Sequence, residues 1–133
     1  MTNRNLGVSL LLTRISVFYF LIHWILKRFI DVDSINSIAS RHYYMDSFPS
    51  VLNILLGVFG LVSLAAFLVG FKKKYSYMAV FLIHALGTIL VIPKMILFTD
   101  GLRQLFLASI PALAAIWLLY KLRDEDTLFT IDK

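Results

Sequence analysis

The side chains of this sequence that can do chemistry lie inside or beside apolar runs. Thr13, Ser16, Tyr19, His23, Lys27 and Asp31 follow one another at steps of three or four. On a helix of 3.6 residues per turn they form one stripe. The residues between them are mostly Leu, Ile, Val, Phe and Trp. A polar stripe on such a helix is costly in lipid, so it is expected to face other helices or a wet cavity. His84 stands in a later apolar run. Two histidines in apolar helices raise the question of axial haem ligation. Their depths argue against one haem between them, because ~14 and ~8 residues from the same edge put them roughly 9 Å apart along the helices. Hydrogen bonds to neighbouring helices, through Tyr19, Thr88 or Asn53, are the plainer use of both rings.

A second group gathers at the far end of the same helices. Lys94, Asp100 and Arg103 stand around one turn, and the loop after the first run adds Arg41, His42, Tyr43, Tyr44 and Asp46. If the helices close as a bundle, this group joins Tyr19, His23 and Lys27 around a polar pocket. The plainer reading is a set of interfacial ion pairs among Lys27, Asp31, Asp100 and Arg103. Arg14 falls well off the stripe. Two readings stay open for it: a guanidinium that snorkels to the nearer headgroups, or an internal ion pair or anion site.

Several chemistries are disfavoured. The chain has no cysteine, which excludes disulfides, thiolate metal sites and dithiol redox by the chain itself. No carboxylate falls at the centre of an apolar run, as a proton-coupled exporter would need. No pattern of His and carboxylates suggests a metal site, and no Gly-rich phosphate loop or hydrolase motif occurs. No catalytic residue is assigned, and an enzyme acting on its own is not expected.

The elements that must position these groups are membrane helices. Of 133 residues, 59% are hydrophobic and 16% charged, and the mean hydropathy is +0.81. Soluble domains are nearer half apolar and a quarter charged. Apolar runs at 6–30, 51–71, 75–98 and 102–122 are each long enough to cross a bilayer. The expected fold is all-α: an integral membrane four-helix bundle, up-down-up-down, in one domain. A short interfacial helix is expected between helices 1 and 2, capped by Asp33 or Ser34 with Ile35 and Ile38 on one side. Residues 123–133 read as a cytoplasmic tail. The first run is too long and too charged for a signal peptide. Asn53, Gly57, Gly60 and Leu64 on helix 2, and Ala108, Pro111, Ala112 and Ala115 on helix 4, make faces suited to close packing in lipid. Arg4, Arg14, Lys72, Lys73, Lys74, Lys121, Arg123 and Lys133 fall on one side, eight of the 13 basic residues. The positive-inside rule then places both termini in the cytoplasm. The basic excess flanks apolar runs, so nucleic acid is not an expected partner.

This layout resembles the DoxX/DoxX-like family of small four-helix membrane proteins. The likeness rests on the Arg-containing start of helix 1 (LLTRISVFYF), the Lys in HWILKRF, and a polar loop ending in Phe48-Pro49. It continues with the Gly-rich LLGVFGLVSLAAFLVGF and a basic turn before helix 3, covering roughly residues 8–120. Arg14, Lys27 and Pro49 match as pattern positions and carry no catalytic role. The resemblance implies a multi-pass protein of the prokaryotic inner membrane, and a subunit of a quinone-linked oxidoreductase or redox-stress complex. The expected reading is an accessory or anchor subunit without an intrinsic cofactor. Its partners would be the lipid bilayer and other membrane or redox-complex subunits, or further copies of itself. Tyr19, His23, Lys27 and His84 are the candidate cofactor-binding residues, with quinone as the candidate cofactor. Arg41, His42, Lys94, Asp100 and Arg103 are the candidate substrate-binding residues. The alternative is a stand-alone binder or transporter of a small solute or lipid in the outer pocket. A haem cytochrome is the remoter one.

Overall fold

The computed structural model describes residues 3–42, 46–47, 49–95 and 107–132, without the side chains of residues 3, 42 and 93–95. Every regular element in it is a helix. They are α1 (Asn3–Ile30), α2 (Val32–His42), α3 (Ser50–Leu68), α4 (Lys73–Met95) and α5 (Ser109–Lys121). Three stretches, Arg4–Ile30, Ser50–Leu68 and Lys73–Ile92, are long and apolar enough to cross a membrane. That is the pattern of a membrane protein. The expected fourth span, 102–122, is seen only as the 13 residues of α5. Among the described residues the architecture is therefore three long apolar helices with two shorter ones, and residues 102–106 of the expected fourth span lie outside them.

α1 packs on α3 and α5, and α4 packs on the same two, so the four helices touch in a ring. Neighbours run antiparallel. The end of α1 meets the start of α3, where Arg28 Nη1 donates to Asn53 Oδ1 at 2.9 Å and Asn53 Nδ2 returns a bond to the Arg28 carbonyl at 2.9 Å. Gly57 and Gly60 continue that seam. A Cβ on Gly57 would stand 2.5 Å from the Phe29 ring, and one on Gly60 3.3 Å from Ile25. Small residues here admit large ones from α1, which is how helices approach closely in lipid. The core between the helices is built from Leu10, Val17, Leu21, Leu64, Phe67, Tyr77, Val80, Ile116 and Leu119.

On α5 the packing face differs from expectation. Ser109, Ile116 and Leu119 are buried, whereas Ala108 and Pro111 are exposed and Ala112 and Ala115 half-buried. The short helix after α1 is present as α2, with Ile35 and Ala39 buried one turn apart on the side that meets α1 and α4. Its cap is Asp31, not Asp33 or Ser34. The Asp31 carboxylate accepts the Ser34 amide at 3.1 Å, as an N-cap does.

The segment after α5 does not simply leave the bundle. It turns back across the end where α1 starts and α3 passes into α4. Ile131 N–H donates to the Val69 carbonyl at 2.9 Å and Asp132 N–H to the Gly70 carbonyl at 3.3 Å. Gly70 has φ +60, and a Cβ there would meet Thr130 at 2.5 Å, so the turn requires glycine twice over. Leu128 rests on Gly7 in the first turns of α1.

Candidate functional site

The 28 residues of α1 carry polar groups on two faces, and the structure sorts them. Gly7, Leu10, Arg14, Val17 and Leu21 point inward and are buried. Ser16, Tyr19, His23 and Lys27 point away from the chain's own helices and are exposed, Tyr19 at 68%. The polar stripe thus lies outside the ring, opposite to the expectation that it faces this chain's other helices. Its members bond locally. The Thr13 hydroxyl donates to the Ser9 carbonyl at 2.8 Å. His23 Nδ1 lies 2.7 Å from the Tyr19 carbonyl. A carbonyl only accepts, so Nδ1 carries the proton and Nε2 of the neutral ring keeps its lone pair. The Tyr19 ring stands edge-on to His23 with centroids 4.8 Å apart, and Lys27 Nζ lies 5.7 Å from the Trp24 ring centre.

The other candidates are dispersed. His84 is half-buried and turned to α5, with Nε2 donating to the Ser109 carbonyl at 3.2 Å and its ring edge-on to Phe20. Arg41 is exposed on α2. The His42 and Lys94 side chains, and all of Tyr43, Tyr44, Asp100 and Arg103, lie outside the described residues. Among the described residues no group of three or more His, Asp and Glu is placed to hold a metal.

The most polar buried site is one that the sequence pointed to only through Arg14. Its guanidinium is fully buried. It does not snorkel: the internal ion pair, one of the two readings left open, is what forms. Nη1 donates to Asp126 Oδ2 at 3.0 Å and to the Tyr77 hydroxyl at 3.2 Å, and Tyr77 itself donates to Asp126 Oδ2 at 2.6 Å. Nη2 donates to the carbonyls of Leu128 at 2.6 Å and Phe129 at 3.2 Å. Phe129 has φ +51, a left-handed kink that aims two successive carbonyls at one nitrogen. Lys73, also buried, donates from Nζ to the Asp126 carbonyl at 3.1 Å. Arg14 Nε and Asp126 Oδ1 are buried without a hydrogen-bond partner.

Compared with protein families, curated proteins and solved structures, the chain shows no match. Its function is therefore read from these two sites: an outward polar row on α1, and a buried cationic site closed by the tail.

The sequence signal for the second site was the register of Arg14. It falls in the same helical row as Leu10, Val17 and Leu21, the inward face of α1. Asp126 gave no such signal, because it stands in a polar segment that reads as solvated.

Beside the buried site lies an open cleft of about 630 Å³, lined by both signs of charge: Lys72, Lys73, Lys74 and Arg123 with Asp124 and Asp132. The Lys73 side chain joins the cleft to the Asp126 main-chain carbonyl.

Proposed function

We propose that this chain is a DoxX-like accessory or anchor subunit of a quinone-linked redox complex in a prokaryotic inner membrane, with both termini cytoplasmic. The observation that supports this reading is the outward row Ser16, Tyr19, His23 and Lys27 on a helix apolar enough to cross a membrane. Hydroxyl, imidazole and ammonium groups held against acyl chains are unfavourable, and a neighbouring membrane subunit that supplies hydrogen-bond partners relieves that cost. His23 Nε2 offers an acceptor and Lys27 a donor one turn apart. That pair suits the hydroxyl and carbonyl oxygens of a quinol or quinone held between two subunits. A stand-alone binder with an outer pocket has less support, because Tyr19, His23 and Lys27 turn outward while His84 turns to α5.

A photo-crosslinking residue in place of Tyr19, activated in native membranes, tests the proposal. The expected products are an adduct with a different membrane protein and quinone in the mild-detergent extract. A lone monomer with neither, or an adduct only with a second copy, overturns it.

A further inference from the structure

We propose that the tail is an interfacial anchor: Phe129 and Ile131 enter the headgroup layer of the membrane, and Lys72 and Lys74 beside them bind the phosphates of anionic lipids in that leaflet. The inference needs neither the redox-complex reading nor a particular side of the membrane for this end.

The argument starts from the way the tail's side chains turn. Leu128 rests on Gly7 and Thr130 on Gly70, so these two face the bundle. Phe129 and Ile131 alternate with them and face away, 84% and 65% exposed. A strap lying in water would carry the opposite order, with its largest apolar groups turned in. The ion pair does not call for the ring either. Arg14 takes only the Phe129 carbonyl, and the φ of +51 that aims it is adopted more readily by glycine or asparagine. The outward phenyl and butyl groups thus have no use inside the chain.

Their level gives them one outside it. The 19 residues of α3 rise ~28 Å, close to the ~30 Å hydrocarbon core of a bilayer. The end of α3 therefore stands at the edge of that core. Ile131 and Asp132 are hydrogen-bonded to the carbonyls of Val69 and Gly70, which follow α3 directly. The Phe129 carbonyl shares the Arg14 guanidinium with the Tyr77 hydroxyl, from the first turns of α4. Both outward side chains are thus held at the headgroup level, where an apolar body meets acyl chain and not bulk water.

Charge selects the lipid. The open cleft brings Ile131 beside Lys72, Lys74 and Tyr75. Its two acids are engaged locally. Asp132 accepts the Lys73 amide at 3.3 Å, and Asp124 lies 3.8 Å from Arg123. Lys72 and Lys74 are exposed, and among the described residues neither is in an ion pair. Their ammonium groups stand 5.7 and 6.0 Å from the ring centres of Phe71 and Tyr75, both rings exposed. An ammonium carried on an apolar stem beside an aromatic ring suits a head at the phosphates with its stem in the acyl boundary.

The chain has no cysteine, so one nitroxide label reports one position. Phe129→Cys and Thr127→Cys, the second an exposed polar position of the same tail, receive the label in vesicles of phosphatidylglycerol and phosphatidylcholine in equal parts. At 129 the label is relaxed more by oxygen dissolved in the lipid than by a water-soluble nickel chelate, and at 127 the order reverses. Equal access of the chelate to the two positions overturns the proposal. Spin–spin broadening at 129 that survives dilution in lipid also overturns it, because a second copy then covers the patch. The second arm uses the unaltered protein and no label. Extracted from the same vesicles in mild detergent, it retains phosphatidylglycerol over phosphatidylcholine. Lys72→Gln with Lys74→Gln lowers that ratio several-fold, up to about fivefold per lysine. Equal retention of the two lipids, or a ratio unchanged by the double substitution, overturns the proposal.

Discussion

A guanidinium left alone among Leu10, Val17 and Leu21 would be among the costliest groups in this chain. Asp126, Tyr77 and two tail carbonyls are what make it tolerable. Removing one partner of a buried ion pair costs about 3–5 kcal/mol, while replacing both with apolar groups of similar volume is often neutral. Arg14→Met alone is therefore expected to destabilise the protein by that amount, and Arg14→Met with Asp126→Leu to recover most of it. Equilibrium unfolding in mixed micelles measures both. A loss in the double variant equal to the sum of the Arg14→Met and Asp126→Leu losses would show that the pair is not coupled. At this scale the sequence was half legible. Arg14 declared its row by its spacing, but its partner stands 112 residues away. No local pattern links them. The direction of the outward row was illegible for a different reason. In lipid both the packed and the exposed side of a helix are apolar, so the polar stripe gives a grouping without giving a direction.

At the scale of elements, α2 depends on Asp31. Hydrogen bonds from Ser34, with help from the nearby Lys27 ammonium, hold this carboxyl below its ordinary value near 3.8. A carboxyl depressed in the folded state stabilises above its unfolded value and loses that contribution as pH falls through the folded one. The start of α2 is thus expected to stay intact at neutral pH and to loosen below about pH 4. Exchange of the Ser34 amide, corrected for intrinsic rates, should rise there. Asp31→Asn, which still accepts from the amide, should flatten the response. The helices themselves were legible, because long apolar runs bounded by Pro49, the 72–74 lysines and polar loops leave few alternatives. So was the Asn53, Gly57 and Gly60 face, since small residues at that spacing have one use in a membrane helix. The inward face of α5 was not. Alanine suits both a packed and a lipid-facing position, and Ser109, Ile116 and Leu119 carry the contact instead.

At the scale of the molecule, the start of α1, the turn between α3 and α4, and residues 122–132 meet at one end, and α2 lies at the other. With the proposed orientation, the lysine-rich end faces the cytoplasm. The chain has no cysteine, so single cysteines report position without background. A cysteine at Thr127 is expected to react with an impermeant maleimide only in inverted vesicles, and one at Ser37 only from the outside of intact cells. The reverse pattern would invert the topology, while leaving the helix ring and the buried ion pair untouched. The same juxtaposition explains why the tail's packing on the bundle end was not legible in the sequence. Its charged residues look like water-soluble chain until the bundle end that holds them is known.

The ion pair also has a history within each molecule. Arg14 is made 112 residues before Asp126. At roughly 5–20 residues per second the interval is about 6–22 s. During that time α1 must enter the membrane with its guanidinium unmatched, a penalty of about 2.5–3.5 kcal/mol at mid-span on insertion scales and less near an interface. Neutralisation of that charge therefore waits for a residue made 112 positions later. A nascent chain halted before Asp126 would present an unsatisfied arginine to whatever surveys the membrane for unfinished proteins.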